Sequence, residues 1–151
     1  MTSTLTRDSK PTSSHPTPGR RFGYLIAIAI NAWLLWFVNQ LPDWEWPRFL
    51  TDEFSDVLPV MTAAIVASIV VNVLFFWYDA AWFKSLGNLV TAGFGFAVAL
   101  RLYQVFPFDF ATFASNWSWL ARFVVIVALV GTAIGFIVES VKLVTLPFRQ
   151  T

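Results

Sequence analysis

The sequence has no cysteine and a single histidine, His15. Without cysteine there are no disulfides, thiol nucleophiles, iron–sulfur clusters or cysteine metal sites. One histidine, in a Pro/Ser/Thr-rich stretch where it reads as solvated, leaves no Ser/His/Asp or Cys/His set to assemble. Charge is scarce too, at 13% of residues against about 25% in an average soluble domain. No Gly-rich phosphate loop, H-E-x-x-H or dinucleotide fingerprint occurs. The net charge of +1 comes with no basic stripe interleaved with aromatics, so nucleic acid is not an expected partner. These absences leave no residue to name as catalytic, cofactor-binding or metal-ligating, and point to a protein that is not an enzyme.

What fills the space is apolar: 57% of the 151 residues. The apolar residues fall into four runs at about residues 22–41, 58–78, 86–106 and 120–143. A bilayer crossing takes about 20 mostly apolar residues at about 1.5 Å each. Four such runs would leave a soluble chain too little polar surface, and they lack the apolar/polar alternation of a barrel strand. The expected fold is therefore all-α: an integral membrane protein of four antiparallel transmembrane helices with short aromatic interfacial loops.

Residues 1–20 form an expected disordered tail, since Ser, Thr and Pro without apolar neighbours cannot offset the cost of ordering. Residues 21–147 make up the expected transmembrane domain and 148–151 a short cytoplasmic end. Arg20 and Arg21 before the first run resemble the basic start of a secretory signal. The run is long for a signal core, however, and no small-residue cleavage site follows, so an uncleaved first helix is expected. Pro42 ends that helix. In the connection that follows, Trp44, Trp46, Phe49, Leu50 and Phe54 alternate with acids, which suits a loop lying at headgroup level. Thr51 is placed to cap a short helix there. The carboxylates of this loop match no Ca²⁺-loop spacing. A tight turn is expected over Asp79–Ser85, and Pro107–Ser118 forms the last connection.

Basic residues near span ends favour the cytoplasmic side. Arg7, Lys10, Arg20, Arg21, Lys84, Lys142 and Arg149 share one side of a four-crossing chain, seven of the ten basic residues. The expected location is thus the cell membrane, multi-pass, with both termini cytoplasmic.

Polar groups within an apolar run are costly, so each asks for a partner or a purpose. Asn72, Asn88 and Glu139 fall at similar depth by helical rise and are candidates for one polar cluster. Asn39, Gln40, Arg101 and Arg122 share the other level as a candidate outer-face network, in which Arg101 is expected to pair with a carboxylate of the first loop. The competing readings are plain: Asn bonding between helices as structural glue, and Glu139 pairing with Lys142 one turn on. Gly131-x-x-x-Gly135 permits close helix approach, as do the small pairs Gly93/Ala97, Gly95/Ala99 and Ala63/Ala67. They predict close packing among the second, third and fourth helices, with the bulkier first helix facing lipid or a partner.

In size the chain is similar to small four-span multidrug exporters, but those carry an essential carboxylate midway along the first helix, where Asn31 stands here. The expected role is structural or accessory, with membrane lipid, another membrane protein or a second copy as partner. The alternative is an oligomeric transporter using Asn31, Asn72, Asn88, Arg101 and Glu139.

Overall fold

The computed structural model describes residues 16–43, 50–111 and 117–145. Those residues are all-helical, with no strand among them and four helices long and apolar enough to cross a membrane. They are α1 (Pro18–Gln40), α2 (Leu58–Trp77), α3 (Ala81–Val105) and α4 (Ser118–Thr145). Most of the expected disordered tail, together with Trp44, Trp46 and Phe49, lies outside the described residues.

Two boundaries differ from the apolar runs. α1 starts at Pro18, four residues before Phe22; proline suits the first turn because its fixed φ is helical and its missing N–H is not needed there. α3 starts at Ala81, so the turn expected over Asp79–Ser85 shrinks to Tyr78–Ala80. Lys84 and Ser85 are helical although polar, and Lys84 N–H donates to Ala80 O at 2.9 Å. Hydropathy marks where a helix is greasy, and a polar first turn escapes it.

Neighbouring helices run antiparallel. Tyr24 near the start of α1 meets Phe75 near the end of α2, while Asn39 at the end of α1 meets Thr62 at the start of α2. The helices pack in chain order, α1 on α2, α2 on α3 and α3 on α4. No other helix pair packs extensively, so the four make an open row in place of a closed bundle. The packing expected from small residues is present for α2 on α3 and α3 on α4 but not for α2 on α4, and α1 is seated on α2 while its Trp33 and Trp36 stand exposed. The small residues of α3 do serve as expected, since Gly93 faces Phe136 and Gly95 faces Thr132 of α4. The closest approach is at a glycine outside those motifs. A Cβ on Gly87 would come within 2.5 Å of the Phe75 ring and 2.8 Å of Val71, so α2 and α3 meet only because this position has no side chain.

At the end away from the termini, the two longer connections meet. Leu50 and Phe108 form an isolated antiparallel bridge, and Thr51 N–H donates to Pro107 O at 3.1 Å. A 3₁₀ turn, Asp52–Asp56, follows, and it buries Phe54. Val57 and Pro107 are fully enclosed beside it. Thr51 stands at the cap position, but its hydroxyl makes no capping bond and finds no partner among the described residues. The backbone closes the turn through Phe54 N–H to Thr51 O at 3.0 Å. Phe106 ends α3 in the left-handed region (φ 45°), a conformation usually left to glycine, and the enclosed Pro107 follows it directly.

Candidate functional site

The densest polar arrangement lies where α1 begins, α2 ends and α3 begins, and it centres on Asp79. The Asp79 side chain is 2% exposed, and both carboxylate oxygens are taken. Arg20 Nη1 donates to Oδ2 at 2.9 Å, and Tyr24 O–H donates to Oδ1 at 2.8 Å. Lys84 Nζ lies 3.2 Å from Oδ1. Each partner is delivered by local structure. Arg20 and Tyr24 are one turn apart on α1 and share a face. Asp79 sits in the three-residue turn, just ahead of α3, where the helix N-terminus favours a negative charge. Lys84 reaches back from the first turn of α3.

Burial by itself pushes the Asp79 carboxyl up. Hydrogen bonds from Arg20, Tyr24 and Lys84, with the charge of Lys84, overcome that and hold it below its ordinary value of 3.8. The carboxylate is therefore ionised at neutral pH. The cations are not consumed by it: the Arg20 side chain remains 60% exposed and Lys84 32%. A guanidinium has five N–H donors and an ammonium three, so most of their donors point elsewhere. Arg21, the next residue along α1, is exposed, its guanidinium 5.5 Å from the Phe76 ring centroid. Arg20 and Lys84 on one carboxylate leave a local excess of one positive charge, and Arg21, next to Arg20 in the chain, adds a second at this end of the helices.

Aromatic rings support the cluster from below. Tyr24 contacts Phe75 (ring centroids 5.7 Å apart), Phe75 meets Phe83 edge-on (6.0 Å), and Phe83 meets Tyr78 (5.3 Å). From these rings an open apolar groove of about 300 Å³ runs between α2 and α3. Ala67, Val70 and Leu74 line one side and Phe83, Leu86 and Val90 the other. Its walls are almost wholly carbon, so it offers room without any hydrogen-bonding group.

The positions singled out from sequence are distributed differently. Asn72 donates to Ser68 O of its own helix at 2.8 Å, and Asn88 is exposed with no side-chain hydrogen bond among the described residues. Glu139 pairs with Lys142 at 2.7 Å, the one-turn contact weighed against the cluster. Asn72, Asn88 and Glu139 make no hydrogen bond to one another. Asn31 likewise donates to its own helix, at Ala27 O. At the other level, Asn39 donates to Leu35 O at 2.8 Å and reaches Thr62 Oγ1 on α2 at 3.3 Å. Arg122 places its guanidinium 4.3 Å from the Phe106 ring centroid. Gln40 is half-buried, and Arg101 is exposed with no ion pair among the described residues. Thus Asn39 ties two helices and Arg122 ties α4 to the end of α3, while hydrogen bonds do not join the four into one network.

Asp79 was missed because it stands in a turn, outside every apolar run. A signal was present: it is the one acid in the short connection expected over Asp79–Ser85, with Lys84 five residues on.

No family model, curated protein or solved structure matches this chain. Among the described residues no three His, Cys, Asp or Glu side chains gather as a metal site would need.

Proposed function

We propose that this chain is a small non-enzymatic integral membrane protein, with both termini in the cytoplasm, that serves as an accessory component by binding other membrane proteins or lipid through its helix faces. The observation that carries this reading is the open row. With α1 and α4 unpaired at its two edges, large apolar side chains stand outward along them, including Ile30, Trp33 and Trp36 on α1 and Val127, Ile134 and Ile137 on α4. In water such a surface would be an aggregation liability; in hydrocarbon it is the ordinary surface. The face of α4 bearing Gly131 and Gly135 has nothing within 4 Å of where either Cβ would stand, whereas Thr132 and Phe136 face α3. That leaves a close-approach surface free for a partner helix, of the kind such spacing serves in membranes.

Extraction in mild detergent followed by chemical cross-linking tests this. A stoichiometric partner or homo-oligomer is expected, and Gly131→Leu with Gly135→Leu should cut its recovery severalfold. Recovery of monomers alone, before and after cross-linking, counts against the accessory role. Native protein in the detergent-free supernatant after ultracentrifugation removes the membrane reading altogether. Reporter fusions at the two termini are expected to land on the cytoplasmic side.

The transport reading has weaker support. Asn31 and Asn72 each spend an N–H on their own helix, and Glu139 is matched by Lys142.

A further inference from the structure

The corner around Asp79 joins two features that neither the accessory role nor the fold requires together: a surplus of partly exposed cations and an apolar groove that starts at their base. Phe83 lines the groove, and the next residue, Lys84, carries one of the cations. Phe75 lines it too, and its ring touches Tyr24, whose hydroxyl bonds Asp79. The groove continues along α2 from Phe75 to Ala67, eight residues or about 12 Å of helix at 1.5 Å each. Tyr78 and Trp82, whose rings meet the groove-lining Phe83, stand exposed beside it, as aromatic rings do at headgroup level.

We propose that this corner binds one anionic phospholipid, its phosphate held by Arg20, Arg21 and Lys84 and one acyl chain lying in the groove between α2 and α3. The proposal rests on the membrane reading above and adds a ligand class to it. Charge complementarity selects the occupant. An uncharged or zwitterionic lipid would fill the groove equally well but leave the two surplus positive charges unmatched, whereas a net negative headgroup meets them. Asp79 is a positioning residue in this site: it fixes Arg20 and Lys84 side by side without neutralising both. Gly87 is part of the groove's lining, where a side chain would collide with Phe75 and Val71 of the facing helix.

Native mass spectrometry of the full chain in a mild detergent, offered phosphatidylglycerol or phosphatidylcholine with identical acyl chains, tests the site. One phosphatidylglycerol per chain should be retained, with a preference of about tenfold or more, because basic residues at a membrane surface favour anionic headgroups. Arg20→Gln with Lys84→Gln should bring the preference close to parity. Arg21→Gln leaves both Asp79 ion pairs in place and should lower it severalfold, which keeps the test open if the double variant does not fold. Val70→Trp fills the groove with every cation intact and should abolish retention of the lipid. Inorganic phosphate at millimolar concentration should not displace it; displacement would mean a free-anion site and overturn the lipid assignment. Equal retention of the two lipids, or an unchanged preference in the Arg21 variant, also overturns it. Membrane sedimentation of the same preparation reads the underlying assumption separately, because a membrane-bound protein without lipid preference sinks this site alone.

Discussion

At the end where α1 begins, one buried carboxylate gathers an arginine, a lysine and a phenol; at the opposite end, Phe54, Val57 and Pro107 close together with a backbone bridge and no ion pair among the described residues. The difference follows from what each end must hold. The first has a three-residue turn, so helix ends already lie close and directional bonds can reach from α1 and α3 to one atom pair. The second must fasten two long connections to each other, and it does so by burying surface. Burial stabilises in proportion to area and ignores pH, whereas the Asp79 knot depends on a proton being absent.

The largest break in this contrast should come from the apolar end. Phe54 is the buried residue of the 3₁₀ turn, and truncating a buried Phe costs about 3–5 kcal/mol. Phe54→Ala is therefore expected to destabilise the chain by about that much in denaturant titrations of the micelle-held protein, with the same loss at pH 4 and pH 7. A loss that appears at only one pH would show that the apolar end is not independent of charge.

The polar end should give a smaller effect with a different signature. Asp79→Asn keeps the shape and removes the charge, so two cations lose their anion at a site that is mostly enclosed. Hydrogen bonds to charged groups are worth about 1.5–3 kcal/mol each where burial is good, and the exposure of Arg20 trims this, so the expected cost at neutral pH is about 1–3 kcal/mol. The sign with pH is fixed by the lowered carboxyl. Its contribution is whole above the ordinary value of 3.8 and drains away as pH falls through the lower folded value. Wild type should lose stability on acidification through that range, and Asp79→Asn should lose none from this source. Parallel acid curves for the two proteins would remove Asp79 as the titrating group.

The same contrast explains what could be read in the sequence. Four long apolar helices were legible because a run of about 20 apolar residues, the length a bilayer crossing takes, can be read with no tertiary knowledge. The row-like packing was not, because G-x-x-x-G says only that a close approach is allowed: Gly93 and Gly95 use the permission and Gly131 and Gly135 do not. Polar residues inside the runs drew attention for their cost, yet Asn31, Asn72 and Thr132 meet much of that cost with a carbonyl one turn back on their own helix. Asp79 escaped for the opposite reason. A charged residue in a turn looks inexpensive, and only the convergence of three helix ends makes it buried.

The smallest expected effect separates the two ends most finely, because it concerns a charge at the apolar one. Arg122 stacks on Phe106, the residue that ends α3 with a positive φ. Such contacts contribute about 0.5–1 kcal/mol at exposed sites. Arg122→Gln should therefore cost no more than about 1 kcal/mol, and Arg122→Lys should recover only part of it, since a planar guanidinium covers the ring better than an ammonium. Added salt should leave this increment nearly unchanged, because the guanidinium rests on a ring and not on a carboxylate, while a bridge between exposed charges weakens as salt screens it. A cost that disappears in high salt would mean that Arg122 answers an acid of the first loop instead, and the apolar end would then hold itself partly by charge, as the Asp79 end does.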